Sequence, residues 1–294
     1  MRSRNPVFKN LLPVKSMGRP SKRVLHVVYA MNTGGIESWL MSIYRQLYGE
    51  NLQFDFLVNT KKEAFFDNEV KRLGGKIIYA GALNNPLKIY KTTKKILCDS
   101  KYCAVHCHNV ENSAPVLKAA YEKGVNNRIY HSHNDFNMKL AHLSFLKSVY
   151  LKVSRLLALR YSNKFLAVSK SAGNSLFKTN NYQLLSLSID ISQFNPINEK
   201  QIVRRDFHLR EDDFVIGHVG RFDTQKNHAF LLKVAKELIQ LNPKTKIFLI
   251  GKGPLEEEIK IKITENDLDG YFVFVGLRSD VPQIMSNIMN AFLF

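Results

Sequence analysis

Two cations that follow a buried strand are the residues of this sequence best suited to bind an anion. Residues 215–219 form a short apolar run, Gly220 ends it, and Arg221 and Lys226 follow before a helical pattern begins near Asn227. Glycine lets a ligand approach the backbone, helix-end amides face negative charge, and Arg and Lys neutralise it. The spacing predicts a phosphate-binding loop, although an ordinary strand–loop–helix corner with two solvated cations fits it equally well.

Four histidines stand in pairs at the ends of two other apolar runs. His106 and His108 belong to one pair, and His131 and His133 to the other. Histidines at strand ends commonly satisfy neighbouring backbone groups or bind a metal by chance of proximity, and this is the interpretation that we favour for each of them. His-x-His spacing also suits zinc, but neither pair has a carboxylate or cysteine ligand at zinc spacing beside it.

The elements that must position these residues alternate between apolar strands and amphipathic helices. Strands are predicted at residues 24–29, 52–58, 76–79, 104–107, 128–130, 165–168, 215–219, 245–250 and 272–275, with helices between most of them. This alternation predicts α/β doubly wound sheets with parallel strands and right-handed crossovers. Ligands of such sheets bind outside the carboxyl ends of the strands. The cations, the histidines and the pair Gly34–Gly35 after the first strand all fall at those ends.

The longest helical pattern runs from Leu140 to Tyr161. It combines an apolar stripe with four basic residues: Phe145, Val149, Val153, Leu156 and Leu157, and Lys147, Lys152, Arg155 and Arg160. A core helix with a solvated basic face is the interpretation that we favour. The alternative is a helix that lies on an anionic membrane surface, with its apolar side toward the lipid.

The composition describes a basic globular chain. Among 294 residues, 43 Lys and Arg against 25 Asp and Glu give a formal charge of +18, which favours polyanionic partners without choosing among them. Cys98, Cys103 and Cys107 lack a CxxC pair and are expected to be reduced thiols of a cytosolic protein. Residues 1–22 are expected to be a disordered basic leader, and Met17 is a plausible alternative start.

Two stretches resemble family 4 glycosyltransferases, which have the GT-B fold of two doubly wound, Rossmann-like domains facing a cleft. These are GRFDTQKN at 220–227 and FLAVSKSAGNSLF at 165–177. The resemblance implies an acceptor-side domain at 23–195 and a donor-binding domain at 196–294. It also implies that the second domain is truncated, because the family's loop with two glutamates would follow Phe294. At 186–188 the chain has Ser-Leu-Ser where the family usually has Pro-Asn-Gly.

The same resemblance implies the reaction and the donor site. The expected reaction moves a hexose from a UDP- or GDP-linked sugar to an acceptor hydroxyl, with retention and without a bound metal or other cofactor. Arg221 and Lys226 match the family's diphosphate-binding cations, and Gly220 allows close approach of the ligand. The loop that contains Leu277 matches the segment that borders the nucleobase.

On the acceptor side the resemblance places Gly34 and Gly35 over the donor phosphates. It places His131 beside the transferred sugar as the candidate catalytic residue, with His133 as the second choice. The acceptor is expected to be lipid-linked or a saccharide, in bacterial capsular polysaccharide or exopolysaccharide synthesis. The protein would then be cytoplasmic, with a possible contact to the anionic inner face of the cell membrane.

Two other functions stay open. One is a truncated, inactive protein that binds nucleotide sugar or serves as a scaffold. A nucleic-acid-binding function is suggested by charge alone, and no aromatic-basic motif or helix-turn-helix supports it, so no nucleic-acid partner is expected.

Overall fold

The computed structural model describes residues 22–81, 85–141, 143–179, 181–195 and 204–293. They form two compact units that divide between Ile189 and Asp190. Nearly all of the predicted leader at 1–22 lies outside the described residues. So do most of residues 195–200, which are polar and are predicted to link the domains, and the start of a helix that we predict at 200–207. The domain boundary after residue 195 stays a prediction.

The first unit contains a seven-stranded sheet. Its strands are β1 (Lys22–Val28), β2 (Leu52–Val58), β3 (Ile77–Tyr79), β4 (Ala104–Cys107), β5 (Asn127–Ser132), β6 (Lys164–Ala167) and β7 (Gln183–Leu184). Their order is β3-β2-β1-β4-β5-β6-β7, and the described pairings are all parallel. The order reverses between β1 and β4, and doubly wound sheets bind ligands outside the strand ends at such a switch point.

Among the described residues of this unit, seven helices pack beside the sheet. They are α1 (Gly35–Gln46), α2 (Asp67–Arg72), α3 (Pro86–Asp99), α4 (Val110–Glu122), α5 (Phe136–Ala141), α6 (Phe145–Tyr161) and α7 (Lys170–Phe177). Successive strand residues point to opposite faces of the sheet, so two separate cores form. Phe54 and Phe56 pack with Trp39 of α1, whereas Leu25 and Val105 pack in the core that contains α4.

The second unit repeats this architecture with four strands. They are β8 (Phe214–Val219), β9 (Thr245–Ile250), β10 (Phe272–Gly276) and β11 (Ala291–Phe292), with α8 (His228–Leu241), α9 (Glu256–Thr264) and α10 (Val281–Ile288) as helices. The strand order β10-β9-β8-β11 is again parallel and reproduces the order β3-β2-β1-β4 of the first unit. Its switch point therefore lies between β8 and β11.

The predicted doubly wound α/β architecture is confirmed, and most predicted elements differ from the structure only at their ends. The main exception is the helix predicted over residues 140–161. Helix α5 ends at Ala141 and α6 begins at Phe145, because Ser144 between them is extended, with φ −61° and ψ 155°. The predicted single helix is therefore two helices.

The favoured interpretation of this segment as a core helix was wrong for its apolar stripe. Phe145 is 80% exposed and Val153 is 50% exposed, and the rest of the stripe is exposed as well. The buried face of α6 contains Leu151 and Ala158 instead. It also contains Arg155, expected on the basic face, whose Nε donates to the carbonyl oxygen of Leu176. Residues chosen as core by hydrophobicity alone thus lie at the surface.

Candidate functional site

The loop after β8 is held by close backbone contacts among neighbouring strand ends. The Gly220 N–H donates to the Ile250 carbonyl oxygen at 2.9 Å, and the Gly251 N–H donates to the Gly276 carbonyl oxygen at 3.0 Å. Gly251 has a φ of +144°, and a Cβ there would overlap the Gly220 carbonyl oxygen. Only glycine fits this position, where the ends of β8, β9 and β10 meet.

Phe222 fixes the inner side of this loop. It is fully buried and packs edge-on against Phe274 with ring centroids 6.0 Å apart. Its carbonyl oxygen accepts from the Leu255 N–H at 3.0 Å, and a Cβ on Gly253 would overlap the Phe222 backbone. Buried Phe222 therefore fixes the loop to the core of the unit, and the residue before Phe222 lies at the surface.

Arg221 and Lys226 are the two predicted phosphate-binding cations. The Arg221 side chain is 73% exposed, and its Nε lies 3.9 Å from Oδ2 of Asp223. An exposed pair at this distance contributes about 0–1 kcal/mol, so it competes weakly with an anionic ligand. The Lys226 stem lies over Gly220, since a Cβ on Gly220 would be 2.9 Å from Lys226 Cε. Within the described part of the chain, no ion pair of Lys226 is seen.

The N-terminus of α8 is less accessible to a ligand than the sequence indicates. A 3₁₀ turn, Thr224–Lys226, lies between β8 and α8, and Asn227 then caps α8 in a left-handed conformation with φ 46°. The Asn227 side chain accepts from the Phe230 N–H at 3.3 Å. One of the free helix-end amides is thus already satisfied, and the charge on an anion here must be met largely by the cations.

Lys252 is a cation of the same edge that the sequence analysis missed. It is exposed, and a Cβ on Gly276 would lie 3.8 Å from its Cε. The signal in the sequence was its place between two glycines directly after a strand. Leu277, expected beside the nucleobase, follows Gly276 and is 48% exposed. Three strand-end loops of the second unit therefore offer exposed Arg, Lys and Leu side chains at one edge of its sheet.

Gly34 and Gly35 begin α1 in the first unit. Neither is among the described residues with a positive φ, so the turn itself does not require glycine. A Cβ on Gly34 would overlap the carboxyl of Glu37, whereas a Cβ on Gly35 would meet nothing within 4 Å. Close approach of the Glu37 carboxyl thus accounts for Gly34, and the space beside Gly35 is open.

Glu37 is a titratable group in the first turn of α1. Burial raises its pKa to about 7, and its own backbone N–H acts in the opposite direction. A carboxyl with this pKa exchanges its proton near neutral pH, which is the property that general acids and bases need. No sequence signal distinguishes it from an ordinary first-turn glutamate.

Five histidines meet on one face of the neighbouring strands β1, β4 and β5. The Nδ1 of His26 lies 3.1 Å from Nε2 of His108, whose Nδ1 lies 2.9 Å from Nε2 of His133. The Nε2 of His106 lies 3.2 Å from Nδ1 of His131. The sequence analysis missed His26, which lies inside β1 in parallel register with His106. The first part of the favoured interpretation, bonding to backbone groups, was wrong for these contacts, which are between rings.

Burial keeps this histidine cluster neutral. It lowers the pKa of His26 and His131 to about 3 and that of His133 to about 4. It also lowers the pKa values of His106 and His108 well below the ordinary value, with a further contribution from their neighbours. The candidate catalytic residue His131 is only 2% exposed, and His133 is the more accessible of the two.

Comparisons with known proteins identify the family. The family model described as "Glycosyl transferases group 1" matches residues 199–294. The putative glycosyltransferase EpsF of Bacillus subtilis (strain 168) is 32% identical over 286 residues, which are 92% of this chain and 72% of EpsF. The chain therefore belongs to the group 1 glycosyltransferases, as the sequence resemblance predicted.

A more distant relative and a solved structure agree with this assignment. The Escherichia coli UDP-Gal:alpha-D-GlcNAc-diphosphoundecaprenol alpha-1,3-galactosyltransferase is 25% identical over 211 residues, 68% of this chain and 52% of that protein. The crystal structure of Anabaena Alr3699/HepE in complex with UDP and glucose superposes with a TM-score of 0.72 at 17% identity, covering 90% of this chain and 72% of that one. The fold is of the GT-B type.

Proposed function

We propose that this chain transfers a hexose from a UDP- or GDP-linked sugar to an acceptor hydroxyl, with retention of configuration. The observation that carries the proposal is the cationic edge of the second unit, where Arg221, Lys226 and Lys252 are exposed on strand-end loops. The similarity to HepE, whose structure contains UDP and glucose, supports a nucleotide-sugar donor.

The proposed roles follow from the chemistry of each side chain. The planar guanidinium of Arg221 suits bidentate contact with a diphosphate, and the Lys226 ammonium supplies a mobile point charge. Both would stabilise the charge that develops on the departing nucleoside diphosphate. Gly220 leaves the backbone open to the phosphates, and exposed Leu277 offers an apolar contact to the base.

In the first unit, the start of α1 and the end of β5 carry the residues that we propose for the sugar. Gly35 leaves open space at the start of α1, and Gly34 brings the Glu37 carboxyl close to that backbone. We place His131 at the sugar, with His133 as the more exposed alternative at the same strand end. Glu37 is suited to exchange a proton with a hydroxyl group at neutral pH, since its pKa is raised to about 7.

The central experiment compares donor turnover by the wild type with Arg221→Ala and Lys226→Ala, using UDP- and GDP-linked hexoses. Loss of a charge that stabilises the transition state should lower kcat/KM by about 10²-fold or more. Lys236→Ala, an exposed lysine on α8, is the matched control and should not differ from the wild type. Equal rates in all four proteins would remove the proposed site. Nucleotide binding without turnover would favour the alternative of an inactive binding protein.

We also propose a lipid-linked acceptor of surface-polysaccharide synthesis, used at the cytoplasmic face of the membrane. The E. coli relative, named for a diphosphoundecaprenol acceptor, supports this class. No helix of the described chain is long and apolar enough to cross a bilayer. The exposed stripe of α6, flanked by Lys147, Lys152 and Arg160, suits contact with anionic headgroups and the upper acyl chains.

Vesicle sedimentation tests this membrane contact. The wild type should bind vesicles with anionic lipid more strongly than neutral ones, and added salt should weaken binding. Phe145→Asp should reduce binding strongly. Leu241→Asp replaces another exposed apolar residue, 83% exposed at the end of α8, and is expected to bind like the wild type. Equal loss in both variants would contradict a specific role of α6.

A further inference from the structure

The histidine cluster contains two overlapping groups of three potential metal ligands. One comprises His26, His106 and His108, and the other His108, His131 and His133. Within each group, one ring nitrogen of every residue lies within 4.8 Å of one nitrogen of each of the others. These side chains come from three adjacent strands, so the sheet itself fixes their spacing.

Hydrogen bonding among the rings leaves the cluster incomplete. The Nε2 of His26, the Nε2 of His131 and the Nδ1 of His133 are buried without a partner. In the chain of contacts from His26 through His108 to His133, each neutral ring has one proton and one lone pair. Whichever tautomers are chosen, one terminal ring then keeps an unused N–H and the other an unused lone pair. Buried polar atoms without partners cost about 1–3 kcal/mol each, and an ion bound to the free nitrogen of His131 would satisfy one of these three.

We propose that His108, His131 and His133 bind one divalent transition-metal ion of the zinc class. The contact between Nδ1 of His108 and Nε2 of His133, at 2.9 Å, is somewhat shorter than the roughly 3.3 Å edge of a tetrahedron with Zn–N bonds of about 2.0–2.1 Å. His131 supplies the third imidazole. This group is favoured over the other because His133 is only partly buried and gives an ion access.

The two remaining histidines would orient the rings of two ligating histidines. His26 contacts the second nitrogen of His108 at 3.1 Å, and His106 contacts His131 at 3.2 Å. Ligating histidines commonly use their other nitrogen in this way, which fixes the tautomer and the orientation of the ring. The ion would thus have three ligands and a second layer of imidazoles that holds two of them.

The ligand chemistry selects the class of ion. Three imidazoles with no carboxylate suit Zn²⁺, Co²⁺, Ni²⁺ or Cu²⁺, whereas Mg²⁺ and Ca²⁺ require oxygen ligands. Three protein ligands leave a fourth position for water or another small ligand. The inference goes beyond the proposed sugar transfer, and with an ion bound His131 would hold that ion rather than contact the sugar itself. Metal content and coordination can be measured whether or not the protein is active.

The test uses full-length protein without a histidine tag. After incubation with Zn²⁺ and desalting, the wild type should retain about one Zn²⁺ per chain by elemental analysis. X-ray absorption should show a nitrogen and oxygen shell at about 2.0–2.1 Å. Co²⁺ in place of Zn²⁺ should give the visible absorption of a four-coordinate ion. A wild type that retains no Zn²⁺, or a sulfur-containing shell, would overturn the proposal.

Variants locate the ion. His108→Ala and His133→Ala should each abolish retention of Zn²⁺, while His26→Ala should weaken affinity by about 10–100-fold. His208→Ala, at an exposed site, and His218→Asn, a buried histidine of the second unit, are the matched controls and should retain one ion. If His108→Ala does not fold, the partly buried His133 carries the test. Retention of stoichiometric Zn²⁺ by His133→Ala would refute the assignment.

Discussion

Two buried polar clusters lie on opposite faces of the seven-stranded sheet, and they differ in how completely they are satisfied. Asp55 is fully buried and accepts from Arg23 Nε, from the Tyr102 hydroxyl and from the Lys76 N–H, each at 2.8 Å. The Arg23 guanidinium completes a second contact with the same carboxylate, and this hydrogen bonding raises the pKa of Arg23. This cluster is a closed structural network.

The histidine cluster on the other face of the sheet is not fully hydrogen-bonded. Its contacts are between rings, and three of its buried nitrogens have no partner. Native proteins satisfy nearly all of their buried polar atoms, and the exceptions concentrate where a ligand or an ion completes the set. The comparison teaches that burial alone does not separate a structural cluster from a binding site, and that unsatisfied atoms together with metal-ligand spacing mark the histidine cluster as the candidate site.

Removal of Asp55 should have the largest effect. Asp55→Ala leaves the partly buried guanidinium of Arg23 without its counter-charge and removes an acceptor from Tyr102 and Lys76. We expect the free energy of unfolding to fall by about 3–5 kcal/mol in urea denaturation. Tyr102→Phe removes a single hydrogen bond and should cost about 1 kcal/mol. A loss below 1 kcal/mol for Asp55→Ala would show that the network is not structural.

Zinc bound to the histidine cluster should instead raise the free energy of unfolding. If the folded chain alone binds the ion, free Zn²⁺ at 100 times its Kd raises the free energy of unfolding by about 2.7 kcal/mol. His133→Ala should lose this gain and show the same stability with Zn²⁺ and with chelator. Equal stabilisation of the variant would mean that the ion binds elsewhere, and the contrast between the two clusters would then fail.

The sequence predicted the sheets well because their signals are local. Residues 52–58, 104–107 and 245–250 have the predicted boundaries, since each is a run of residues with clear flanking signals. The orientation of α6 could not be predicted in this way. Its apolar stripe resembles any core-facing stripe, and only packing of Leu151 and Ala158 decided which side is buried.

The candidate sites differ in the same way: one has a local sequence signal, and the other is assembled only by the fold. Arg221 and Lys226 could be proposed from sequence because a strand, a glycine and two cations are contiguous. The histidine cluster could not be assembled, because His26 lies 80 residues before His106 along the chain and meets it only through parallel register. Lys252 and Glu37 both lie near glycines that follow a strand, but neither their neighbours nor the raised pKa of Glu37 has a sequence signature.

Glu37 is an intermediate case between the two clusters, since it is partly buried with only its own backbone N–H as a favourable contact. Its pKa is raised from 4.5 to about 7. Below pH 4.5 both states bind the proton; between pH 4.5 and 7 only the folded state keeps it, so stability falls as pH rises. Relative to Glu37→Gln, the wild type should lose up to about 3 kcal/mol between pH 4 and pH 8.

Urea denaturation of both proteins at several pH values checks this, and the difference between them cancels the titration of other groups. A Glu37→Gln variant whose stability parallels the wild type at every pH would show that Glu37 is solvated and has an ordinary pKa. That outcome would also remove Glu37 from the proposed proton exchange with a hydroxyl.

Substitution of the two glycines near Glu37 should have the smallest effects on stability, and the two effects should have opposite signs. Gly35→Ala places a Cβ in open space at the first position of α1, so it should stabilise the protein by about 0.4–1 kcal/mol through the unfolded chain. Gly34→Ala forces the Glu37 carboxyl to move, at a cost of about 1 kcal/mol, because a flexible side chain can yield.

If the space at Gly35 belongs to the donor phosphates, Gly35→Ala should raise KM for the sugar donor while thermal unfolding shows a more stable protein. A more stable Gly35→Ala protein with unchanged KM would leave that space without a ligand and confine the donor to the cationic edge of the second unit.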